Sequence, residues 1–227
     1  MKMHASLSCR LEFVGLCGAG KSTFYERLKV RISTGFPLAE RRPVSVSAAR
    51  ASFYGGRFTA AMAIKGGDGA RFLLHPENWW LPFKLGYRSA QMKQHETVSE
   101  HWSLDVDSGL LQPIVSFAAE HNRRLDPIPL AVILPLLALP RILIYMRAAP
   151  ALALQRYLAR EQHRLDAGAE QQLERQFEQA YIVCQTLVAE CRKAGALVID
   201  VDANDSRSDA AADRVAEILR DNVGRGA

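Results

Sequence analysis

The sequence is short of several things, and each shortage narrows the class of protein. Only four cysteines occur, Cys9, Cys17, Cys184 and Cys191, with no C-x-x-C pair and no zinc-like spacing. That usage argues against a disulfide or zinc scaffold and suits a reducing cytoplasm. Uninterrupted hydrophobic runs of membrane-spanning length are missing. The nearest, Ile128 to Met146, is broken by Pro129, Pro135, Pro140 and Arg141, so it reads as a buried helix or turn followed by a buried parallel strand, Arg141–Met146. The opening MKMHASLSCRLEF has no apolar stretch of signal-peptide type. There is no Lys/Arg block of the kind that grips DNA, no repeat and no low-complexity tract, so neither a membrane nor a nucleic-acid partner is expected. One domain, 1–227, is expected, at an ordinary 48% hydrophobic and 23% charged residues. The formal charge of +5 favours anionic ligands.

What is present begins at Gly15. Residues Gly15 to Thr23 read GLCGAGKST, a complete G-x-x-x-x-G-K-[ST] (Walker A) phosphate loop. An apolar run, Leu11-Glu12-Phe13-Val14, supplies a strand before it, and Phe24 to Lys29 continues behind it as a helix. Gly15, Gly18, Ala19 and Gly20 let backbone N–H groups approach phosphate oxygens, and the helix start aims its positive dipole end at the same anion. Lys21 adds a cation for the β- and γ-phosphates. The Ser22 hydroxyl is placed for Mg²⁺, and Thr23 completes the loop. Cys17 lies inside it, where Lys21 and the N–H dipoles could lower its pKa; the alternative is a small tolerated residue. Cys184 and Cys191, seven apart, share a helix face and read as half-buried packing residues.

Strand candidates Leu11–Val14, Pro43–Val46, Trp102–Val106, Ile142–Met146 and Ala196–Val201 alternate with helical patterns, which gives a mostly parallel sheet with helices on both faces. The stretch 47–101 is the least regular and reads as a helical insertion over the acceptor side. Trp79, Trp80, Phe83 and Tyr87 either wall a pocket there or form the core of the insertion. Positive charge in excess between Arg41 and Lys93 leans towards an anionic acceptor. From Pro150 to Ala194 the pattern is helical, with Phe177, Tyr181, Cys184, Leu187, Val188 and Cys191 on one face, and Gly195 closing it. Arg156, Arg160 and Arg164 recur at i, i+4, i+8 and form either a cationic lid or a solvated face.

Further absences separate the phosphate-loop classes. No N-K-x-D of regulatory GTPases and no LSGGQ of transporter ATPases occurs. FVGLCGAGKSTFYERL (13–28), LDVDSGLLQ (104–112) and ILIYMRAAPALALQRYLAREQHR (142–164) together resemble the P-loop nucleoside and nucleotide kinases of thymidylate-kinase and deoxynucleoside-kinase type. The resemblance implies a three-layer α/β sandwich with a five-stranded, mostly parallel sheet, an acceptor-side insertion (47–101) and a helical lid (150–170). It implies ATP and Mg²⁺ as cofactors and a small-molecule acceptor, with a homodimer left open. By that resemblance Lys21 and the loop hold the donor, and Ser22 and Asp107 serve the metal. Asp107, with Asp105 as the alternative, orients or deprotonates the acceptor; a solvated turn residue is the other reading of Asp107. Arg156 and Arg160 close over the transferring phosphate, Arg147 is a further candidate, and Asn204 borders the adenine. Ser108 stands where these kinases carry an Arg, which leaves the acceptor open, and Gln112 either contacts it or is a plain polar helix residue. The expectation is a cytoplasmic ATP-dependent kinase for a nucleoside, nucleotide or related acceptor. Its alternatives are a nucleotide switch or slow ATPase acting through a protein partner and, less favoured, a kinase of nucleic-acid ends.

Overall fold

A computed structural model describes residues 8–32, 38–39, 46–65, 67–96, 102–105, 109–161 and 167–223. In chain order, β1 (Ser8–Gly15) leads into α1 (Lys21–Ile32) and the short β2 (Leu38–Ala39). Then come α2 (Ala48–Ile64), α3 (Asp68–Leu73), a 3₁₀ turn (Pro76–Trp79) and α4 (Trp80–Glu96). β3 (Trp102–Asp105) is followed by α5 (Gln112–Ser116), which runs on as a π-helix, Phe117–His121, and by α6 (Leu130–Ile133). β4 (Pro140–Arg147), α7 (Pro150–Glu161) and α8 (Ala167–Lys193) precede β5 (Leu197–Asp202), a 3₁₀ segment (Ala203–Arg207) and α9 (Asp209–Val223).

The strands lie parallel in the order β2-β3-β1-β4-β5. Against the expected five-stranded sheet, the described residues give three long strands, β1, β4 and β5, with β2 described over two residues and β3 over four. Of the strand expected at Pro43–Val46, residues 43–45 lie outside the described residues and Val46 is not in a strand. β4 is buried along most of its length, as a central parallel strand should be, and the apolar run 128–146 does divide before it into α6 and a 3₁₀ turn. Among the described residues no helix is long and apolar enough to cross a membrane.

β1 is buried on both faces, and its two faces do different work. On one, Phe13 packs edge-on against Phe24 and Tyr25 of α1, at ring separations of 6.4 and 6.2 Å. α1 is in turn held to α9 by exposed pairs, Arg31–Asp213 at 2.6 Å and Arg27 and Arg31 on Asp209, whose carboxyl Arg27 holds below its usual range. The other face carries Arg10 and Glu12, both buried, towards α4, α5 and α8. Arg10 Nε stands 2.7 Å from Glu12 Oε1, a meeting of charges not aligned as a hydrogen bond. Arg10 also donates to Met92 Sδ at 3.1 Å and to the Ala138 carbonyl. Glu12 accepts from the amides of Leu110 (3.0 Å) and Leu111 (3.2 Å).

The stretch 47–101, the hardest to read, is built on two 17-residue helices, α2 and α4, that cross where Gly55 meets Gly86. Ser47 caps α2 by accepting from Arg50 N–H. On α8, Phe177, Cys184, Leu187, Val188 and Cys191 are all fully buried, so both cysteines lie deeper than the half-buried position expected of them. Gly195, at φ +88°, ends α8 in a Schellman motif, with Ala196 N–H on Cys191 O and Gly195 N–H on Arg192 O, both at 3.0 Å.

Glu12→Ala would strand Arg10 as a lone buried charge and free two amides. The expected loss is about 3–5 kcal/mol of unfolding free energy, read from urea denaturation. A loss below about 1 kcal/mol would show that the pair carries little of the fold.

Candidate active site

In a parallel sheet the loops beyond the carboxyl ends of the strands converge, and here they enclose one cavity of about 820 Å³. Its floor is the loop between β1 and α1. Gly18 and Gly20 have φ of +83° and +87°, and each is pressed by a different neighbour. A Cβ on Gly18 would come within 2.2 Å of the Ala153 carbonyl oxygen of α7; one on Gly20 would come within 2.7 Å of the Ser206 side chain. The glycines thus let α7 and the 3₁₀ segment after β5 sit directly on the loop. Lys21, 7% exposed, donates from Nζ to the carbonyls of Gly15 (3.0 Å) and Leu16 (2.9 Å). Ser22 and Thr23, at the start of α1, are exposed and line the cavity.

Most of the residues named from the sequence meet here. Gly18, Gly20, Lys21, Ser22, Thr23, Arg156, Arg160 and Asn204 all line the cavity, whereas Gly15 and Ala19 are buried behind it. Arg156 donates to the Ala203 carbonyl at 3.2 Å, and Arg160 lies over the Tyr157 ring, 5.7 Å from its centroid. Both belong to α7, which ends at Glu161; Arg164 lies outside the described residues, as does Asp107. Asp105 closes β3. Arg147 pairs with Asp202 at 3.5 Å and stands away from the cavity lining. Asp202 accepts from Asn204 N–H at 2.8 Å, which caps the 3₁₀ segment and fixes Asn204 at the rim.

The opposite wall comes from α5 and its π continuation: Gln112, Ser116 and Glu120. Gln112 is buried, accepts from Gly15 N–H at 3.3 Å and donates to Ser116 Oγ at 3.2 Å. Of these three only Gln112 was a sequence candidate, and their i, i+4, i+8 spacing was the signal available for the other two. Arg207 and Ser206 were missed as well; a basic residue following the last strand was the one signal available for Arg207. The aromatic candidates go elsewhere. Trp80 stacks on Phe117 at 6.1 Å and meets His121 at 4.5 Å, while Trp79, Phe83 and Tyr87 remain 46%, 50% and 37% exposed. None of the four lines this cavity, so the pocket-wall reading fails for it. Trp79 and Trp80, adjacent on one helical turn, necessarily point in different directions.

The electrostatics decide between the two readings of Cys17, in favour of the small packed residue. Burial pushes the Cys17 thiol up to about 12, against the opposing pull of Lys21, and Glu120 pushes in the same direction as burial. Cys17 Sγ lies 2.7 Å from Glu120 Oε1, so the thiol is a protonated donor to a carboxylate rather than an activated thiolate.

The β1–loop–α1 unit, the parallel sheet and the cavity at its carboxyl ends define a P-loop α/β protein. No family model matches the sequence, and no curated protein matches it. Among solved structures the chain is similar to a deoxyadenosine kinase from M. mycoides with bound dATP, at TM-score 0.52 and 16% identity over 93% of this chain and 99% of that one. It is similar to the same kinase with its products dCMP and a flexible dCDP bound, at TM-score 0.51 and 15% identity over 95% and 99%. The fold is therefore deoxynucleoside-kinase-like, and at that identity the fold is what the likeness carries.

Because burial holds its thiol protonated well above the ordinary thiol range, Cys17 should resist alkylation. Iodoacetamide at pH 8, followed by peptide mass mapping, should label it at least about tenfold more slowly than a free thiol of ordinary pKa. Labelling at the free-thiol rate would overturn the assignment.

Proposed function

We propose that the chain is an ATP-dependent kinase that transfers a phosphoryl group to a small hydroxyl-bearing acceptor, with a nucleoside as the leading class. The observation that carries this reading is the composition of this cavity. Lys21, Arg156, Arg160 and Arg207 gather around the phosphate loop, and a polar wall of Gln112, Ser116 and Glu120 faces them. Phosphoryl transfer asks a protein mainly to position two reactants and to neutralise charge spread over the transferring oxygens. A cationic floor with an uncharged or acidic wall meets both demands in one enclosure.

The residues present fit the expected cofactors. The backbone of the loop at Gly18 and Gly20 lines the cavity, and Lys21 and the start of α1 supply positive charge beside it. Arg156 and Arg160 reach from α7 over the same space. Asn204 borders the site after β5, where a base would lie. For Mg²⁺, Ser22 offers its hydroxyl, and Asp107 is assigned to the same ion through water. Bound there, the metal would neutralise charge on the β- and γ-phosphates. The likeness in fold to deoxyadenosine kinase supports a nucleoside as acceptor; an acceptor bearing a phosphate, the insertion 47–101 as its cover and 150–170 as a lid are part of the same proposal.

The test is ADP release from Mg-ATP with deoxyadenosine, deoxycytidine, nucleoside monophosphates, sugars and sugar phosphates as acceptors. Acceptor-dependent ADP is the expected result, and Lys21→Ala should lower it on the order of 100-fold or more. Slow turnover indifferent to every acceptor would replace the kinase with a nucleotide switch acting through a protein partner. Turnover that survives Lys21→Ala would remove the phosphate loop from the mechanism.

A further inference from the structure

We infer that Glu120 is the proton acceptor for the hydroxyl that receives the phosphoryl group, an assignment that rests on the kinase reading above. Among the described residues lining the cavity Glu120 is the sole carboxylate, set against Lys21, Arg156, Arg160 and Arg207. Four cations suit the donor phosphates, and none of them can take a proton from an attacking hydroxyl at neutral pH. A carboxylate on the facing wall can.

The position of Glu120 is built by the backbone. In an uninterrupted α-helix each step of four residues advances a side chain by about 40°, so a third member of an i, i+4, i+8 row drifts off the face of the first. Here the helix widens at Phe117, and Asn122 N–H reaches back five residues to Phe117 O at 2.9 Å. The wider turn advances fewer degrees per residue and returns Glu120 to the face of Gln112 and Ser116. Asn122, buried, locks the end of the turn by donating to Asp126 O (2.8 Å) and to Gln179 Oε1 (3.0 Å). Glu120 is thereby brought to the loop itself, with Oε1 2.7 Å from Cys17 Sγ. The thiol occupies Oε1 and orients the carboxylate, and among the described residues Oε2 has no partner.

In the step assigned, the acceptor O–H passes its proton to Glu120 while its oxygen forms a bond to the γ-phosphorus of ATP. The bond from that phosphorus to the β–γ bridging oxygen breaks, ADP leaves with the electron pair, and Glu120 returns the proton to water. Repulsion between the carboxylate and the γ-phosphate is offset by the four cations across the cavity.

The experiment compares the full-length chain with Glu120→Gln and Glu120→Asp. ATP affinity is measured by calorimetry, and kcat and KM with Mg-ATP are measured for deoxyadenosine and deoxycytidine. Gln keeps an acceptor oxygen for the Cys17 thiol, so a merely structural Glu120 would leave kcat within about threefold of wild type. A proton acceptor predicts ATP affinity held within about twofold, a kcat lower by about 100-fold and little change in KM. If Glu120→Gln does not fold, Glu120→Asp decides: withdrawing the carboxylate by one methylene should cost at least about tenfold in kcat, and an unchanged kcat overturns the assignment. A wild type that transfers to no acceptor overturns the kinase reading and this inference with it, whereas an equally active Glu120→Gln overturns the inference alone.

Discussion

A carboxylate with no exposure to solvent, in the middle of the central strand, is the constraint on which the site depends. Removing the charge of Glu12 from water costs several kcal/mol, and that cost is recovered only where the charge is met from more than one side. Arg10, two residues earlier and so on the same face of β1, supplies the opposite charge at 2.7 Å. The amides of Leu110 and Leu111 supply the hydrogen bonds. Those amides immediately precede Gln112, so satisfying Glu12 also fixes where α5 starts. Gln112 then takes the Gly15 amide at 3.3 Å, which ties the wall of the cavity to the first residue of the phosphate loop. Strand, loop and wall are positioned by one buried charge that contacts none of the cavity.

The same economy holds on the other side of the loop. α7 and the 3₁₀ segment after β5 approach Gly18 and Gly20 so closely that any side chain there would displace them. Arg156 and Asn204 are therefore placed by backbone contact with the loop, and Arg156 reinforces it through the Ala203 carbonyl. The loop positions the phosphate, and equally it positions the cations that answer the phosphate.

How much of this was legible in the sequence follows from how local each cause is. The phosphate loop, the strand Ile142–Met146, the long apolar stripe of α8 and its end at Gly195 are written in a few adjacent residues, and each lies where the pattern puts it. The arginines of α7 could be placed on a face from spacing alone. What could not be read are pairings across long separations. Glu12 looks like a break in an apolar strand until Leu110 and Leu111 are seen to meet it, 98 and 99 residues away. Glu120 looks like one more charge on a helix until a π turn, which has no pattern in hydrophobicity, swings it towards Cys17. The two readings of the four aromatic residues could not be told apart for a related reason: composition marks an aromatic cluster, but only packing decides that Trp80 goes inward on Phe117 while Trp79 and Phe83 stay on the outer face.

Cys17 shows how magnitudes rather than signs settle such a site. Lys21 and the N–H dipoles of a phosphate loop both favour a thiolate, and from the sequence they are the only neighbours in view. In the folded chain the thiol is 8% exposed, and burial opposes the charged form more strongly than one lysine favours it. The lysine is itself engaged by two backbone carbonyls, and a carboxylate stands on the other side of the sulfur. A thiolate there would place two anions in contact inside the protein, so the proton stays on sulfur and the charge stays on Glu120. Cys17 thus serves as a neutral donor, and the negative charge of the site is set on the wall that faces the loop instead of within the loop itself.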